Sequence, residues 1–324
     1  MYMGLFTLQI RWKWYNIRYF VGDNVKKKDL LELVSDIDIL YRDNLNIPDT
    51  TTIGVEIEYT NLYKYTLIDI IHENFKGWNY QKDISVTDTS FGGEVVSPIL
   101  DNTRKSWEEL KSILCMLKDN GAGINDSCAS HIHIGSSLIN NDTLVYYYML
   151  KMWSIFEREI LQFSYGDKNY IRSGINLFSC PIKSDIVHYN YLIKKIIKED
   201  DSFLTSLNGI YKLLGGCRNR CINLENIKES NVVDKNTIEF RSFNGTLDEC
   251  IWQNNINFVV NFLNYFNKDY DKELIDYYFK RCNELEDNLN YYNIKKGMLL
   301  GSLIYDNELD YLYYLKQYTR GMKK

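Results

Sequence analysis

Residues 130–135 read Ser-His-Ile-His-Ile-Gly, and this alternation of imidazole and aliphatic side chains decides how the fold is interpreted. Successive side chains of a β-strand point to opposite faces of its sheet. A strand here therefore places His131 and His133 on one face and Ile132 and Ile134 on the other. The pattern predicts a strand with one face on an apolar core and the other carrying metal-binding groups.

Two other runs share this alternation. Glu56 and Glu58 alternate with aliphatic residues in Gly-Val-Glu-Ile-Glu-Tyr. Glu239 and Arg241 alternate with the apolar Ile238 and Phe240 in Thr-Ile-Glu-Phe-Arg-Ser. Taken singly, the first pair fits a solvated acidic strand face and the second fits a simple salt bridge. Together with the histidine strand, they predict a sheet face that gathers the carboxylates, imidazoles and guanidinium of a metal–phosphate site.

Three further segments contribute candidate residues. Glu94 interrupts an apolar Gly-Gly-Glu-Val-Val run, where an unpaired acid is unusual. Asp88 precedes it in a turn, and ordinary turn chemistry explains an aspartate there equally well. Residues 217–226 are predicted to form a strand on which Arg218 and Arg220 share a face. Such a pair suits phosphate or carboxylate oxygens, although a solvated basic face is the alternative.

Composition limits the possible classes of protein. The chain has 324 residues, of which 45% are hydrophobic, enough for a substantial core. A net charge of −5 disfavours a nucleic-acid binder. Seven cysteines without a C-x-x-C pair indicate reduced thiols. No secretory signal and no apolar window of about 20 residues is visible, so we expect no membrane span and a cytoplasmic location, in the host cytoplasm if the source is viral.

Three regions are expected along the chain. Residues 1–50 form an N-terminal extension with a strand at 5–14 and a helix at 27–40. Residues 51–270 form the main domain, and 271–324 form a helical tail packed on it. Strands with one polar and one apolar face, alternating with long helices, predict an α+β fold in which helices cover one face of a mostly antiparallel sheet.

The secondary structure of the main domain and tail is predicted as follows. Helices are expected at 62–75, 104–119, 143–162, 189–198, 203–214 and 247–266, and throughout 272–318. Besides the runs quoted above, extended segments are expected at 84–96, with a central turn, and at 122–135, 217–226 and 237–243.

In this order, the runs resemble the amidoligase family of the glutamine synthetase and glutamate–cysteine ligase superfamily. The shared motifs are Gly-x-Glu-x-Glu at 54–58, Asp-x-Ser at 88–90, Glu-Val-Val-Ser-Pro at 94–98, His-x-His at 131–133, an arginine-plus-asparagine strand at 218–223, Ile-Glu-Phe-Arg at 238–241 and Asn-Gly-Thr at 244–246. The resemblance covers about residues 53–266. The sequence departs from it at Asn219, where relatives often carry an aromatic residue.

The resemblance implies a curved sheet with helices on its convex face, like the catalytic domain of glutamine synthetase. It also implies ATP and two or three Mg²⁺ ions, or Mn²⁺ in their place, in the concavity. The implied metal ligands are Glu56, Glu58, Glu94, His131 and Glu239. The implied nucleotide and phosphate contacts are His133, which could exchange roles with His131, and Arg220, Asn223, Arg241 and Asn244. The implied catalytic residues are Glu94, Arg218, Arg241 and Asp88, the first candidate for a general base.

The implied reaction is ATP-dependent amide formation through an acyl phosphate. Its partners would be a carboxylate substrate and an amine substrate, such as an amino acid, a peptide, a cell-wall fragment or a polyamine, with no nucleic acid and no membrane. Oligomeric state stays open. Three alternatives also stay open: a nucleotide-binding scaffold without turnover, a guanidino phosphotransferase of similar fold, and a metallohydrolase built on the His-x-His pair. For the last, only His72 and His188 remain as further histidine ligands.

Overall fold

The computed structural model describes residues 27–87, 91–196, 206–227, 236–268, 270–284, 294–320 and 322. Its strands in chain order are β1 (Ile53–Tyr59), β2 (Asn79–Gln81), β3 (Gly93–Val96), β4 (Ala129–Gly135), β5 (Ile222–Asn223) and β6 (Thr237–Asn244). They form one open sheet in the order β2-β3-β1-β4-β6-β5, and every neighbouring pair is antiparallel. The predicted α+β fold with an antiparallel sheet is confirmed.

The helices lie before, between and after these strands in the chain. Within the described residues they are α1 (Lys27–Leu33), α2 (Lys64–Asn74), α3 (Arg104–Asp119), α4 (Thr143–Phe163), α5 (Ile175–Phe178), α6 (Lys183–Ile196), α7 (Leu207–Leu213), α8 (Glu249–Phe266), α9 (Lys272–Glu284), α10 (Ile294–Ile304) and α11 (Glu308–Thr319). The long helix α4 begins where predicted, because Asp142 accepts a hydrogen bond from the Leu144 amide at 2.8 Å.

One face of the central strands lies on the core. Val55, Ile57 and Tyr59 of β1 alternate toward it, and each is at most 1% exposed. Helices α4 and α8 pack on the same face. Trp153 of α4, for example, lies with its ring 5.5 Å from that of Phe240 on β6. Burial of these apolar side chains commits the intervening polar residues to the opposite face.

A β-bulge interrupts the pairing of β4 with β6. Ser130 pairs with Phe243 and Ile132 pairs with Phe240, so β6 has one more residue than β4 across this interval. The extra residue lets Phe240 and Phe243, three positions apart, both face the core, where Phe243 contacts Phe163 at 6.4 Å between ring centroids. Bulges of this kind bend a strand and re-aim its side chains. Here the bulge lies opposite His131.

Two predicted extended segments differ from the structure. Residues 217–226 are a strand only at Ile222–Asn223, since the chain turns through Gly215 and Gly216, both with positive φ, just before this segment. In the segment predicted at 84–96, the first strand is absent. There the Asp83 carboxylate accepts a hydrogen bond from the Ser85 amide and closes a turn. The strand that pairs with β3 is instead β2.

The regions at either end pack on the same core. Leu30, Val34, Leu45 and Ile47 belong to the large apolar cluster that includes the sheet, and the predicted helix at 27–40 ends at Leu33. The strand predicted at 5–14 lies outside the described residues. The tail helices α10 and α11 pack against α4 and α8. The prediction of one continuous helical tail was wrong at 305–307, where the chain leaves helical geometry. The three-region division stays a prediction.

Candidate active site

The centre of the polar sheet face is a carboxylate held by two histidines. Glu56 Oε2 lies 2.8 Å from His131 Nδ1, and Glu56 Oε1 lies 3.0 Å from His133 Nε2. The register explains this geometry, because Glu56 pairs with His131 and Gly54 with His133. A Cβ at Gly54 would lie 3.3 Å from His133 Cβ, so the glycine leaves room for the imidazole to reach along β1 to Glu56. Burial raises the pKa of Glu56, but the hydrogen bonds and charges of the two histidines together outweigh burial and lower it well below its usual range.

Two more carboxylates lie next to this centre on adjacent strands. Glu58 of β1 pairs with Glu94 of β3. Glu58 Oε2 accepts a hydrogen bond from the Ala129 amide at 2.7 Å, and its Oε1 lies 3.5 Å from His131 Nε2. Burial raises the pKa of Glu58. Burial, together with the charges of Glu56 and Asp83, raises the pKa of Glu94 to about 9. The two acids therefore form a site that favours added positive charge.

A fourth carboxylate comes from β6. Glu239 pairs with His133 across the strands, and its Oε1 accepts a hydrogen bond from Arg241 Nη1. Its Oε2 accepts one from Asn223 Nδ2 at 2.7 Å. Burial acts to raise the pKa of Glu239, but the charges of His133, Arg241 and His131 lower it. Glu239 is thus held ionised on the polar sheet face.

These side chains overlap in three groups that could hold a metal ion. They are Glu56–Glu94–His131, Glu56–His133–Glu239 and Glu58–Asp83–Glu94, and within each the candidate ligand atoms lie within 4.8 Å of one another. Carboxylate-rich groups suit hard divalent cations such as Mg²⁺ and Mn²⁺.

Three ligand atoms of these groups support this fit. Glu58 Oε1, Glu94 Oε2 and His131 Nε2 are buried and have no hydrogen-bond partner among the described residues. Buried polar atoms normally have partners, so atoms left without one call for an explanation. Divalent cations in the Glu56–Glu94–His131 and Glu58–Asp83–Glu94 groups would satisfy these atoms, and the donor set therefore fits a metal.

The structure brings most of the predicted residues together, and it places the others elsewhere. Arg220 donates to Asp185 of α6 at 3.0 Å and to the Leu214 carbonyl at 3.1 Å, and Arg218 is exposed before β5. Asp88 lies outside the described residues. The phosphate-binding and catalytic roles predicted for these three residues stay predictions.

Asn244, at the end of β6, forms hydrogen bonds with the loop after α4. Its Oδ1 accepts a hydrogen bond from the Arg172 amide at 3.0 Å, and its Nδ2 donates to the Tyr170 carbonyl at 2.7 Å. The side-chain amide therefore fixes the loop after α4 against the end of β6. Its predicted contact with a nucleotide stays a prediction.

Two residues of the site have no counterpart in the motifs. Asp83, in the turn after β2, completes the group with Glu58 and Glu94. Arg172, in the loop after α4, is 2% exposed, and Glu58 and Asp83 contribute attractive charge to it. Both residues lie in loops, where no alternation of side chains marks them in the sequence.

A cavity of about 600 Å³ adjoins the acidic centre. It begins at Glu56 and His133 and extends past the start of β1. Its remaining lining comprises Thr52, Ile53, Gly54, Val55, Val96, Ser97, Pro98, Ile99, Gly135, Ser136, Ser137, Asn141, Asn236 and Thr237. The lining is a mixture of aliphatic side chains, hydroxyls and amides, which is typical of small-molecule pockets.

Comparisons with known proteins bear on the chain as a whole. A search of curated proteins gave no match. Across the described residues, none of the helices combines the length and apolarity needed to cross a membrane. A family model described as "Putative amidoligase enzyme" matches residues 78–263, more than half of the chain. The match begins after β1 and runs into α8, so it includes every strand except the one that carries Glu56 and Glu58. The predicted resemblance is confirmed, and the protein belongs to the amidoligase family, whose members are enzymes of the amide-forming ligase type.

Proposed function

We propose that the protein is an ATP- and Mg²⁺-dependent carboxylate–amine ligase that forms an amide bond through an acyl phosphate. The observation that carries the proposal is the position of Glu56, which contacts both histidines and belongs to two of the three overlapping ligand groups. A face built in this way could hold several cations close together. That is the arrangement phosphoryl transfer uses, because charge on the phosphate oxygens must be neutralised.

The balanced reaction has two steps. A carboxylate oxygen of the acid substrate bonds to the terminal phosphorus of ATP as the bond to ADP breaks. The amine nitrogen then bonds to the acyl carbon, phosphate leaves and the amine gives up a proton. Divalent cations held by the three ligand groups supply positive charge to the phosphate oxygens when they are bound.

The protein's own residues carry the remaining parts. Arg241 places a permanent positive charge on this face, and Glu239 and the Phe178 carbonyl hold its guanidinium in position. A guanidinium fixed in this way stabilises negative charge without reorganising. Glu56 in turn fixes the orientation of His131 and of His133, each within the ligand group that it shares with Glu56.

The cavity next to the ligand groups suits the nucleoside part of ATP. Its volume lies in the range of about 300–1,000 Å³ that small-molecule sites occupy. It opens directly from Glu56 and His133, so a nucleoside there would extend its phosphates over the ligand groups. Among the lining residues, hydroxyls and amides can hydrogen-bond a sugar or a base, and Ile53, Val96 and Pro98 supply apolar surface. The acid and amine would then enter from the Glu58 end.

The ligand groups also favour Mg²⁺ over the Zn²⁺ of a hydrolase. Each group contains at least two carboxylates, and His131 and His133 are the only histidines in them. His72 lies on α2 and His188 on α6, and neither belongs to any of these groups. Oxygen-rich sites suit hard cations, whereas catalytic Zn²⁺ commonly takes several histidines.

The test is a screen for phosphate release from ATP with Mg²⁺ across pools of acids and amines, including amino acids, peptides, cell-wall fragments and polyamines. Mass spectrometry should find a product equal to acid plus amine minus water. Glu94→Gln should abolish ATP consumption while circular dichroism stays unchanged. The matched control is Glu108→Gln, an exposed glutamate on α3, which should retain activity.

Other outcomes would decide between the alternatives. A stable phosphorylated product would favour a guanidino phosphotransferase, and nucleotide binding without turnover in any pool would favour a scaffold. Undiminished ATP consumption by Glu94→Gln would contradict the proposed site.

A further inference from the structure

Arg172 is buried beside the ligand groups without using all its hydrogen-bonding capacity. Its side chain is 2% exposed as part of the loop after α4. Nη2 donates to the Arg241 carbonyl at 3.2 Å, whereas Nε and Nη1 have no hydrogen-bond partner among the described residues. A guanidinium cannot be deprotonated in proteins, so the cost of burying it persists until its N–H groups find an acceptor.

The loop holds Arg172 in a defined place. Its backbone amide donates to Asn244 Oδ1 at the end of β6. The Arg241 carbonyl, which accepts from Nη2, lies at the β6 bulge. Nη1 would lie 3.3 Å from a Cβ at Gly174, so the glycine leaves space next to the guanidinium. Arg172 is therefore anchored by one nitrogen, and the other two are available.

The charges around Arg172 are incompletely matched. Glu58 and Asp83 attract it and Arg241 repels it, yet neither acid forms an ion pair with it in the part of the chain that the structure describes. These acids belong to the Glu58–Asp83–Glu94 group, toward the end of β1 that lies away from the cavity. Cations bound in that group would add positive charge next to the guanidinium, and an anion that bridges the two would be stabilised by both.

We propose that Arg172 binds an oxyanion, either the carboxylate of the acid substrate or the phosphoryl group transferred to it, at the Glu58–Asp83–Glu94 end of the site. This inference rests on the proposed function for the identity of the anion. Arg172 would thus take the place that the sequence assigns to Arg218, so that the two arginines at the reacting groups are Arg172 and Arg241. Guanidinium N–H groups are well suited to carboxylate and phosphate oxygens.

The test is titration calorimetry of the Mg²⁺-loaded protein with inorganic phosphate and, separately, with acetate, in the absence of nucleotide. Arg172→Gln removes the charge, and Arg172→Lys keeps the charge but not the planar set of donors. We expect phosphate affinity to fall about tenfold or more in Arg172→Gln and by less in Arg172→Lys, as the loss of a charge-assisted hydrogen bond requires. The control Arg104→Gln removes an exposed arginine on α3 and should stay within about twofold of the unchanged protein.

Each result bears on the inference. The anion whose affinity falls more in Arg172→Gln identifies the group that Arg172 binds: acetate stands for the substrate carboxylate, and phosphate stands for the transferred phosphoryl group. Unchanged affinity for both anions in folded Arg172→Gln, or no binding of either anion by the unchanged protein, would overturn the inference. Mg²⁺ affinity measured alone should not fall in Arg172→Gln, because a neighbouring positive charge is removed, and this excludes collapse of the ligand groups. Because no nucleotide is present, failure of the ligase assignment appears separately, as absent ATP consumption.

Discussion

Glu58 and Glu94 lie directly opposite each other on neighbouring antiparallel strands, and both are buried. Two carboxylates in that arrangement cannot both remain ionised without a compensating charge. The pKa of Glu94 rises to about 9, chiefly through burial and then through the charges of Glu56, Asp83 and Glu58. The cation-free site therefore carries a proton at neutral pH that a metal ion would have to displace.

Mg²⁺ binding should consequently release protons. At pH 7 we expect about one proton per protein, because Glu94 starts protonated and a ligand carboxylate must be ionised. Apparent Mg²⁺ affinity should then increase as the pH is raised toward 9 and decrease as it is lowered. Calorimetry in two buffers of different ionisation enthalpy measures the proton count. Glu94→Gln should remove the release, and a count of zero in the unchanged protein would contradict protonation of Glu94.

Filling the mouth of the cavity should weaken ATP binding selectively. Ile99 lines the cavity and is 82% exposed, so Ile99→Trp adds bulk without disturbing the core. We expect KM for ATP to rise roughly fivefold or more, with little change in kcat. Steady-state kinetics give both constants. Leu40→Trp is the matched control, since Leu40 is 57% exposed and does not line the cavity. An equal effect of both variants would argue against the cavity as the nucleoside site.

Adding one methyl group at Gly54 should disturb the Glu56–His133 contact. In Gly54→Ala the new Cβ would lie 3.3 Å from His133 Cβ, so His133 must move slightly, and its 3.0 Å contact with Glu56 changes with it. We expect a loss of about 1 kcal/mol in the free energy of unfolding, as for a mild overpacking, together with a much larger loss of activity. Urea unfolding and ATP consumption measure the two effects. Retained activity would show that the contact is dispensable.

Glu157 is a buried glutamate outside the candidate active site, and it should make the free energy of unfolding depend on pH. Burial raises its pKa to about 7, and hydrogen bonds from the Ile182 and Lys183 amides oppose only part of that rise. A carboxyl whose folded-state pKa is raised stabilises the protein at low pH, and that stability is lost as the pH rises from about 4.5 through 7. We expect Glu157→Gln to reduce the change in the free energy of unfolding across this pH interval by on the order of 2 kcal/mol. Urea unfolding at pH 5 and pH 8 tests this, and an unchanged difference would contradict it.

The sequence predicts the sheet faces well because alternation is a local property of the chain. The strands carrying Glu56, His131 and Glu239 are all observed with those side chains in the candidate ligand groups. Alternation assigns a side chain to a face but does not say which strands are neighbours. The pairing of Glu58 with Glu94, and of Glu239 with His133, comes from the three-dimensional topology.

The missed and misplaced residues have local physical reasons. Asp83 and Arg172 lie in loops, so no period marks them, and tertiary contacts alone bring them to the site. The segment with Arg218 and Arg220 alternates like a strand, but the turn at Gly215–Gly216 directs it toward α6, where Arg220 meets Asp185. Charge partners of this kind cannot be inferred from spacing.

The bulge in β6 has a consequence for how the gene can change. One extra residue in β6 keeps both Phe240 and Phe243 on the core side and leaves the Arg241 carbonyl free to accept from Arg172. The alternation of side chains before the bulge is therefore shifted by one position from the alternation after it. Deletion of one residue here would remove the bulge and restore an uninterrupted alternation. Side chains on one side of the deletion would then change faces, so that an aromatic ring would leave the core or a charged group would leave the site. The β6 bulge should therefore tolerate some substitutions, whereas an insertion or a deletion there should not be tolerated.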